Sequence, residues 1–338
     1  MKRLVGWTAI VLVLAALAAG GWTYWTLERP YKGYDGAEQF VEIPAGTGTL
    51  SMGKRLADAG VIQSAHVFRS AVWMRGAGRR LQAGEYRFDR PMTPTEVVDK
   101  IARGDVYVRA ITFREGLHIR EMAALFESAG FGSAAEFVAA AKNAQLVNDI
   151  DPGARDLEGY LFPDTYTLQR RATAEQLVDR MVQRFRKTLT PELQSQAAAR
   201  GLSVRELVTL ASLVEKETGK PEERPIVAGV YTNRLRIKMG LQCDPTVIYA
   251  LILAGRYDGN IRRDDLQIDS PYNTYRYSGL PPGPIAAPGE ASLSAAAHPA
   301  DVPYLYFVSR NDGSHVFATT LDEHNRNVTQ FQRRRPRP

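Results

Sequence analysis

The chain has 338 residues, 44% of them apolar and 24% charged, which fits a folded globular protein of two domains, or of one domain with appendages. Its net charge of +6 gathers largely at the ends, in Lys2 and Arg3 and in Arg333, Arg334, Arg335 and Arg337. No basic stripe interleaved with aromatics runs through the middle, which argues against nucleic-acid binding, and the single cysteine, Cys243, excludes an intramolecular disulfide.

From Leu4 to Leu27 no residue is charged. About 20 such residues at ~1.5 Å each cross a bilayer core, so residues 1–27 are expected to form a transmembrane anchor. Lys2 and Arg3 precede the run and Trp22, Tyr24 and Trp25 close it, which puts the N-terminus in the cytoplasm and the rest outside. The competing reading is a signal peptide cleaved near Ala16, Ala18 and Ala19.

Residues 28–39 read as a linker, and residues 40–108 as a small α+β module. Phe40-Val41-Glu42-Ile43 alternates like a strand, and Leu81 to Phe88 and Val106 to Val108 are further strands. Thr93-Pro94-Thr95-Glu96 predicts a helix start, with Thr as N-cap, Pro at N1 and Glu at N3, and Gly104 marks its end.

Residues 109–331 read as a mainly helical domain with a shared core. Met122, Leu125, Phe126 and Ala129 share one helical face, and Ser133/Glu136, Thr173/Gln176 and Ser203/Glu206 are capping boxes. Tyr304 to Val308 and His315 to Phe317 flank Asn311-Asp312-Gly313 and predict a C-terminal β-hairpin. Residues 332–338 form a basic tail suited to anionic lipid or polymer. The fold class is therefore α+β.

No HExxH or Cys/His spacing offers a metal site, and neither a phosphate loop nor a GxSxG elbow is present. Carboxylates are left as candidates. In Ser203 to Thr218, Leu207, Leu210, Ala211 and Val214 define a buried helix face, and Glu215 and Glu217 stand in its last turn at the edges of that face. Partial burial and the negative end of the helix dipole both favour the protonated acid that a glycosidic proton donor needs. The helical wheel does not separate Glu215 from Glu217. The bland alternative is two solvated glutamates balanced by Lys216.

The segment Leu210-Ala211-Ser212-Leu213-Val214-Glu215-Lys216-Glu217-Thr218 resembles the active-site helix of the endolytic murein transglycosylases, the MltG or YceG-like family. Leu157 to Tyr166, Leu241 to Val247, Tyr272 to Tyr275 with Gly279 to Ile285, and Ala297-His298-Pro299 onward to Phe317 resemble further signatures of that family, in order. The resemblance implies a single anchor in the inner membrane, a LysM-like module and a lysozyme-like catalytic domain in the periplasm. It implies cleavage of the MurNAc-GlcNAc bond in nascent peptidoglycan with 1,6-anhydro ends, no cofactor or metal, and coupling to cell-wall synthases as a terminator of strand elongation. It assigns catalysis to the first glutamate, Glu215, with Glu217 in support.

Glu158, Tyr160, Gln242, Asn273 and Tyr275 are the other expected substrate contacts, although Tyr160 could equally be core. Asp244-Pro245 reads as an N-cap followed by Pro at N1. Cys243 stands where the family pattern has a small hydroxyl residue, so a hydrogen bond near the cleft is expected to be lost. His298, His315 and His324 read as structural. The rivals are a lysozyme-like hydrolase using a second carboxylate, Asp244 or Glu158, and a non-catalytic wall-binding scaffold.

Overall fold

The computed structural model describes residues 7, 14–15, 17–18, 20–22 and 24–333, and the chain divides into two units, Met1–Arg109 and Ala110–Pro338. Most of the expected anchor and the end of the basic tail lie outside the described residues. Among the described residues no helix is long and apolar enough to cross a membrane. Leu27, the last residue of the expected anchor, is 2% exposed in the core of the N-terminal unit, and Thr95 donates a hydrogen bond to Glu28 beside it. The folded unit therefore begins before residue 28.

In the N-terminal unit, β1 (Gln39–Ile43) pairs antiparallel with β2 (Gly84–Phe88), Val41 opposite Tyr86. Alternation buries Val41 and Ile43 and exposes Glu42. Between the strands run α1 (Thr49–Asp58) and α2 (Ala65–Met74), and α3 (Pro94–Arg103) follows them. The capping box at Thr93 is formed in both directions, Oγ1 accepting from the Glu96 N–H and the Glu96 carboxylate from the Thr93 N–H. Gly104 ends α3 at φ 68°, a left-handed conformation that favours glycine. The Tyr86 hydroxyl reaches the Ile101 carbonyl at that end. β2 begins at Gly84 rather than Leu81. Val106 and Tyr107 lie outside any strand, although the Tyr107 N–H bonds the Glu85 carbonyl of β2.

Two strands open the second region, β3 (Val108–Thr112) pairing with β4 (Thr165–Gln169). β4 was not legible as a strand, because its Thr-Tyr-Thr-Leu-Gln stretch is short and follows a turn-rich segment. The helices are α4 (Ile119–Ser128), α5 (Ala134–Ala141), α6 (Ala174–Thr188), α7 (Pro191–Ala199), α8 (Val204–Glu217), α9 (Arg224–Arg236), α10 (Asp244–Leu253) and α11 (Glu290–Ala297). The hairpin β5 (Tyr306–Ser309) and β6 (His315–Ala318) turns through Asn311 and Gly313, both at positive φ, and α12 (Leu321–Val328) follows. The capping boxes at Ser133, Thr173 and Ser203 are all formed. α10 starts one residue earlier than expected. Cys243 is its N-cap and Asp244 its first residue, so Asp244 is not the cap.

α8 is the axis of this unit. Every residue from Leu207 to Val214 is buried, not only the predicted face, because α7, α9, α10 and α11 pack around it. Truncating a fully buried leucine leaves a cavity that such a helix cannot close. Leu213→Ala should lower stability by about 2–5 kcal/mol, while Leu125→Ala on the exposed side of α4 should change it by less than about 0.5 kcal/mol, as read by chemical denaturation.

Candidate active site

Glu215 and Glu217 are two residues apart in the last turn of α8, so they point about 200° apart around the helix axis. Their environments differ accordingly.

Glu215 is packed in, its side chain only 6% exposed. Arg224 of α9 donates to Oε1 at 3.3 Å, and the backbone N–H of Gly289 donates to Oε2 at 3.0 Å. Arg224 also lies 3.6 Å from Glu115, whose carboxyl is pushed up by burial and by the Glu215 charge, against the pull of Arg224. A Cβ at Gly289 would overlap the Glu115 carboxylate and displace it. Lys216, between the two glutamates, donates to the Gly116 carbonyl at 3.0 Å.

Glu217 faces the other way, into a hollow of about 240 Å³. The Tyr231 hydroxyl donates to its Oε1 at 2.7 Å, and the buried Cys243 thiol beside it also favours the ionised form. Burial pushes the Glu217 carboxyl up, with these donors opposing. Gln242, Asp244, Tyr275, Arg234 and Phe307 share the hollow.

The walls follow from local structure. Gln242 sits at φ 49°, uncommon for a side-chain-bearing residue, with its N–H on the Thr274 carbonyl and its side chain exposed. Asn273 is fully buried. Its amide donates to the carbonyls of Leu266 and Ile268, and its oxygen accepts from the Tyr275 N–H. It shapes the loop that presents Tyr275, whose hydroxyl donates to Asp244. Arg234, also buried, donates to the carbonyls of Leu305 and Leu241. The turn after α8 is clamped by Glu223, which accepts from the Thr218 hydroxyl and the His315 N–H and contacts His315 Nδ1 at 2.7 Å.

Of the residues expected at the site, Glu217, Gln242 and Tyr275 come together around one hollow, with Asp244 beside them. Glu215 is on the opposite side of the helix end. Tyr160 is 1% exposed, its hydroxyl spent on Asp151 at 2.6 Å and its ring edge-on to Phe185. Glu158 is buried at the start of α4, where both its oxygens accept from the Ile119 N–H and one from the Tyr249 hydroxyl. It borders a different hollow, of about 200 Å³, with His118, Arg120, Lys142 and Tyr249. Tyr231, Arg224, Glu115 and Arg234 escaped the sequence reading because they carry no local signal and act across long sequence separations. Among the described residues no group of His, Cys, Asp and Glu could hold a metal.

Burial pushes the Glu158 carboxyl up to about 8. A raised folded-state pKa means stability that is present below the unfolded value of 4.5 and is lost as pH rises through about 8. Glu158→Gln, which mimics the protonated acid, should therefore flatten the decline in stability across that window. Thermal unfolding from acid to mildly alkaline pH reads this directly.

The YceG-like family model matches residues 41–330. A protein of Bacillus subtilis named endolytic murein transglycosylase is 34% identical over 85% of this chain and 82% of its own. One of the same name from Streptococcus pneumoniae is 30% identical over 95% of this chain and 64% of its own. A crystal structure of a yceG-like protein from Listeria monocytogenes covers 86% of this chain and 98% of its own, with a TM-score of 0.59 and 32% identity. Matched over most of its length by the family model, by these relatives and by a solved fold, the chain belongs to the YceG-like family.

Proposed function

We propose that the protein is a lytic transglycosylase that cuts the glycan strands of peptidoglycan, with Glu217 as its acid and base. Membership of the family and the names of its relatives support the reaction and the substrate. The observation that carries the residue assignment is the hollow beside α8. Glu217 opens onto it with a carboxyl whose proton affinity burial pushes up, while Glu215 is held by Arg224 and Gly289 on the other side. We therefore move the proton-transfer role, which the family resemblance gave to Glu215, to Glu217.

One carboxyl is enough for this chemistry. Glu217 gives its proton to the glycosidic oxygen as the bond to the MurNAc anomeric carbon breaks. The C6 hydroxyl of the same sugar attacks that carbon and returns its proton to the carboxylate. The nucleophile is tethered, which supplies the effective concentration that water lacks. Gln242 and Tyr275 line the hollow and are suited to sugar hydroxyls and ring faces.

The uncharged run from Leu4 to Leu27 supports a retained inner-membrane anchor that holds both units in the periplasm, near nascent strands and the synthases that make them. The N-terminal unit then serves as a LysM-like wall-binding module. The full chain should stay with membranes after a high-salt wash, and a fragment starting at Thr26 should be released. A mature chain starting near residue 20 would show a cleaved signal instead.

Glu217→Gln should lower turnover by about 10²- to 10⁴-fold with folding intact, and Glu215→Gln should cost less. Wild-type products should carry 1,6-anhydro ends, seen by mass spectrometry as the loss of one water. The rate should fall on the alkaline side as Glu217 ionises. An active Glu217→Gln variant beside an inactive Glu215→Gln variant would return the role to Glu215. Normal reducing ends would mean hydrolysis, with Asp244 as the nearest second carboxylate.

A further inference from the structure

Glu217 does not stand free in its hollow. One of its oxygens is already occupied by a phenol on a neighbouring helix, and that occupation decides where a proton can sit. We propose that Tyr231 is a positioning residue for Glu217, holding Oε1 inside the protein so that the transferable proton is carried on Oε2, toward the hollow. The proposal rests on Glu217 being the acid.

The geometry is fixed from both sides. The Tyr231 hydroxyl lies 2.7 Å from Oε1, its ring is 1% exposed within α9, and Phe307 packs edge-on at 6.0 Å. The hydroxyl cannot swing away without vacating core. Burial and the nearby Glu217 and Cys243 also push its own ionisation well up, so it acts toward Glu217 as a donor only. An oxygen that accepts this bond is a poor place for a second hydrogen, and the proton is left on its partner.

Cys243 completes the arrangement. Its thiol contacts both Glu217 and Tyr231. Its backbone is pinned, the N–H on the Thr274 hydroxyl and the carbonyl under the Thr246 hydroxyl. A thiol is a weaker donor than a hydroxyl, so it favours the Glu217 anion less than a serine there would. The remaining charged groups near Glu217 come from other elements. Asp244 on α10 pushes its carboxyl up and His315 on β6 pulls it down. Arg234 on α9, Tyr275 in the loop and His324 on α12 border the hollow. On α8 itself, Lys216 and Glu215 are engaged with Gly116 and Arg224.

Opposite signs follow for two nearly isosteric changes. Tyr231→Phe removes a donor that favours the carboxylate, so the alkaline limb of the kcat/KM profile should move to higher pH by about half a unit or more. Its kcat should fall about fivefold with KM nearly unchanged, since the proton is no longer confined to one oxygen. Cys243→Ser puts a stronger donor on the same carboxyl, and its alkaline limb should move to lower pH. Both are read by release of anhydro-ended fragments from purified wall between about pH 5 and pH 9, with thermal unfolding run alongside to show an intact fold. Superimposable profiles for both variants and the wild type would overturn the proposal and leave Tyr231 as core packing. If Tyr231→Phe does not fold, an unshifted Cys243→Ser profile overturns it alone. Retained activity in Glu217→Gln is a different failure, that of the acid assignment itself.

Discussion

The burial of α8 on all sides is the constraint on which the rest of the second unit depends. Eight consecutive buried residues, Leu207 to Val214, leave the helix no freedom to slide or rotate. Its last turn therefore emerges at one fixed angle, and the two glutamates there are committed to opposite sides. One buried polar side chain of α8 is drawn into the same task. The Ser212 hydroxyl gives its proton to the Thr209 carbonyl and accepts the Ile285 N–H, tying the helix to the Pro-rich segment that leads to Gly289. That segment then delivers a backbone N–H to Glu215. A side chain at position 289 would have to displace the Glu115 carboxylate from its place beside Arg224.

The other wall of the site is loop, and it is stiffened by polar groups rather than apolar packing. Asn273 bonds three backbone groups from the centre of its loop. Thr274 and Thr246 bond each other and both ends of Cys243. A buried loop must satisfy its backbone internally, and a fully satisfied network holds its geometry more tightly than side-chain contact alone. The residues expected to touch sugar divide along this line. Gln242 and Tyr275 reach the hollow because Asn273 and Thr274 hold the backbone behind them.

What was legible in the sequence was local. The capping boxes at Thr93, Ser133, Thr173 and Ser203 announced four helices because a cap and its helix are contiguous in sequence. The hairpin around Asn311 and Gly313 was legible for the same reason. What escaped was an unusual cap or depended on distant partners. His118 caps α4 through its ring nitrogen, a role that histidine rarely advertises. Tyr160 and Tyr275 sit in equally turn-rich sequence, yet one is core and the other lines the hollow, because Asp151 and Phe185 happen to meet the first. The wheel likewise could not rank Glu215 against Glu217. Their difference lies in Arg224, Gly289, Tyr231 and Cys243, none of which is set by the local pattern of α8.

The chemistry of the helix end follows from how its negative charge is divided. The C-terminal turn of a helix already carries the negative pole of the dipole, and two carboxyls there add to it. On one side the protein supplies cations and an N–H: Arg224 and Gly289 to Glu215, with Lys216 close by on the Gly116 carbonyl. On the other side it supplies neutral donors, a phenol and a thiol. The basic groups nearest to Glu217 are engaged elsewhere, Arg234 with the carbonyls of Leu305 and Leu241 and His315 with Glu223. A carboxyl in that setting is hydrogen-bonded but not neutralised. Burial can then raise its proton affinity, as a group that must first give a proton and then take one back requires. The same helix end thus separates a carboxyl built into the scaffold from one left able to exchange its proton.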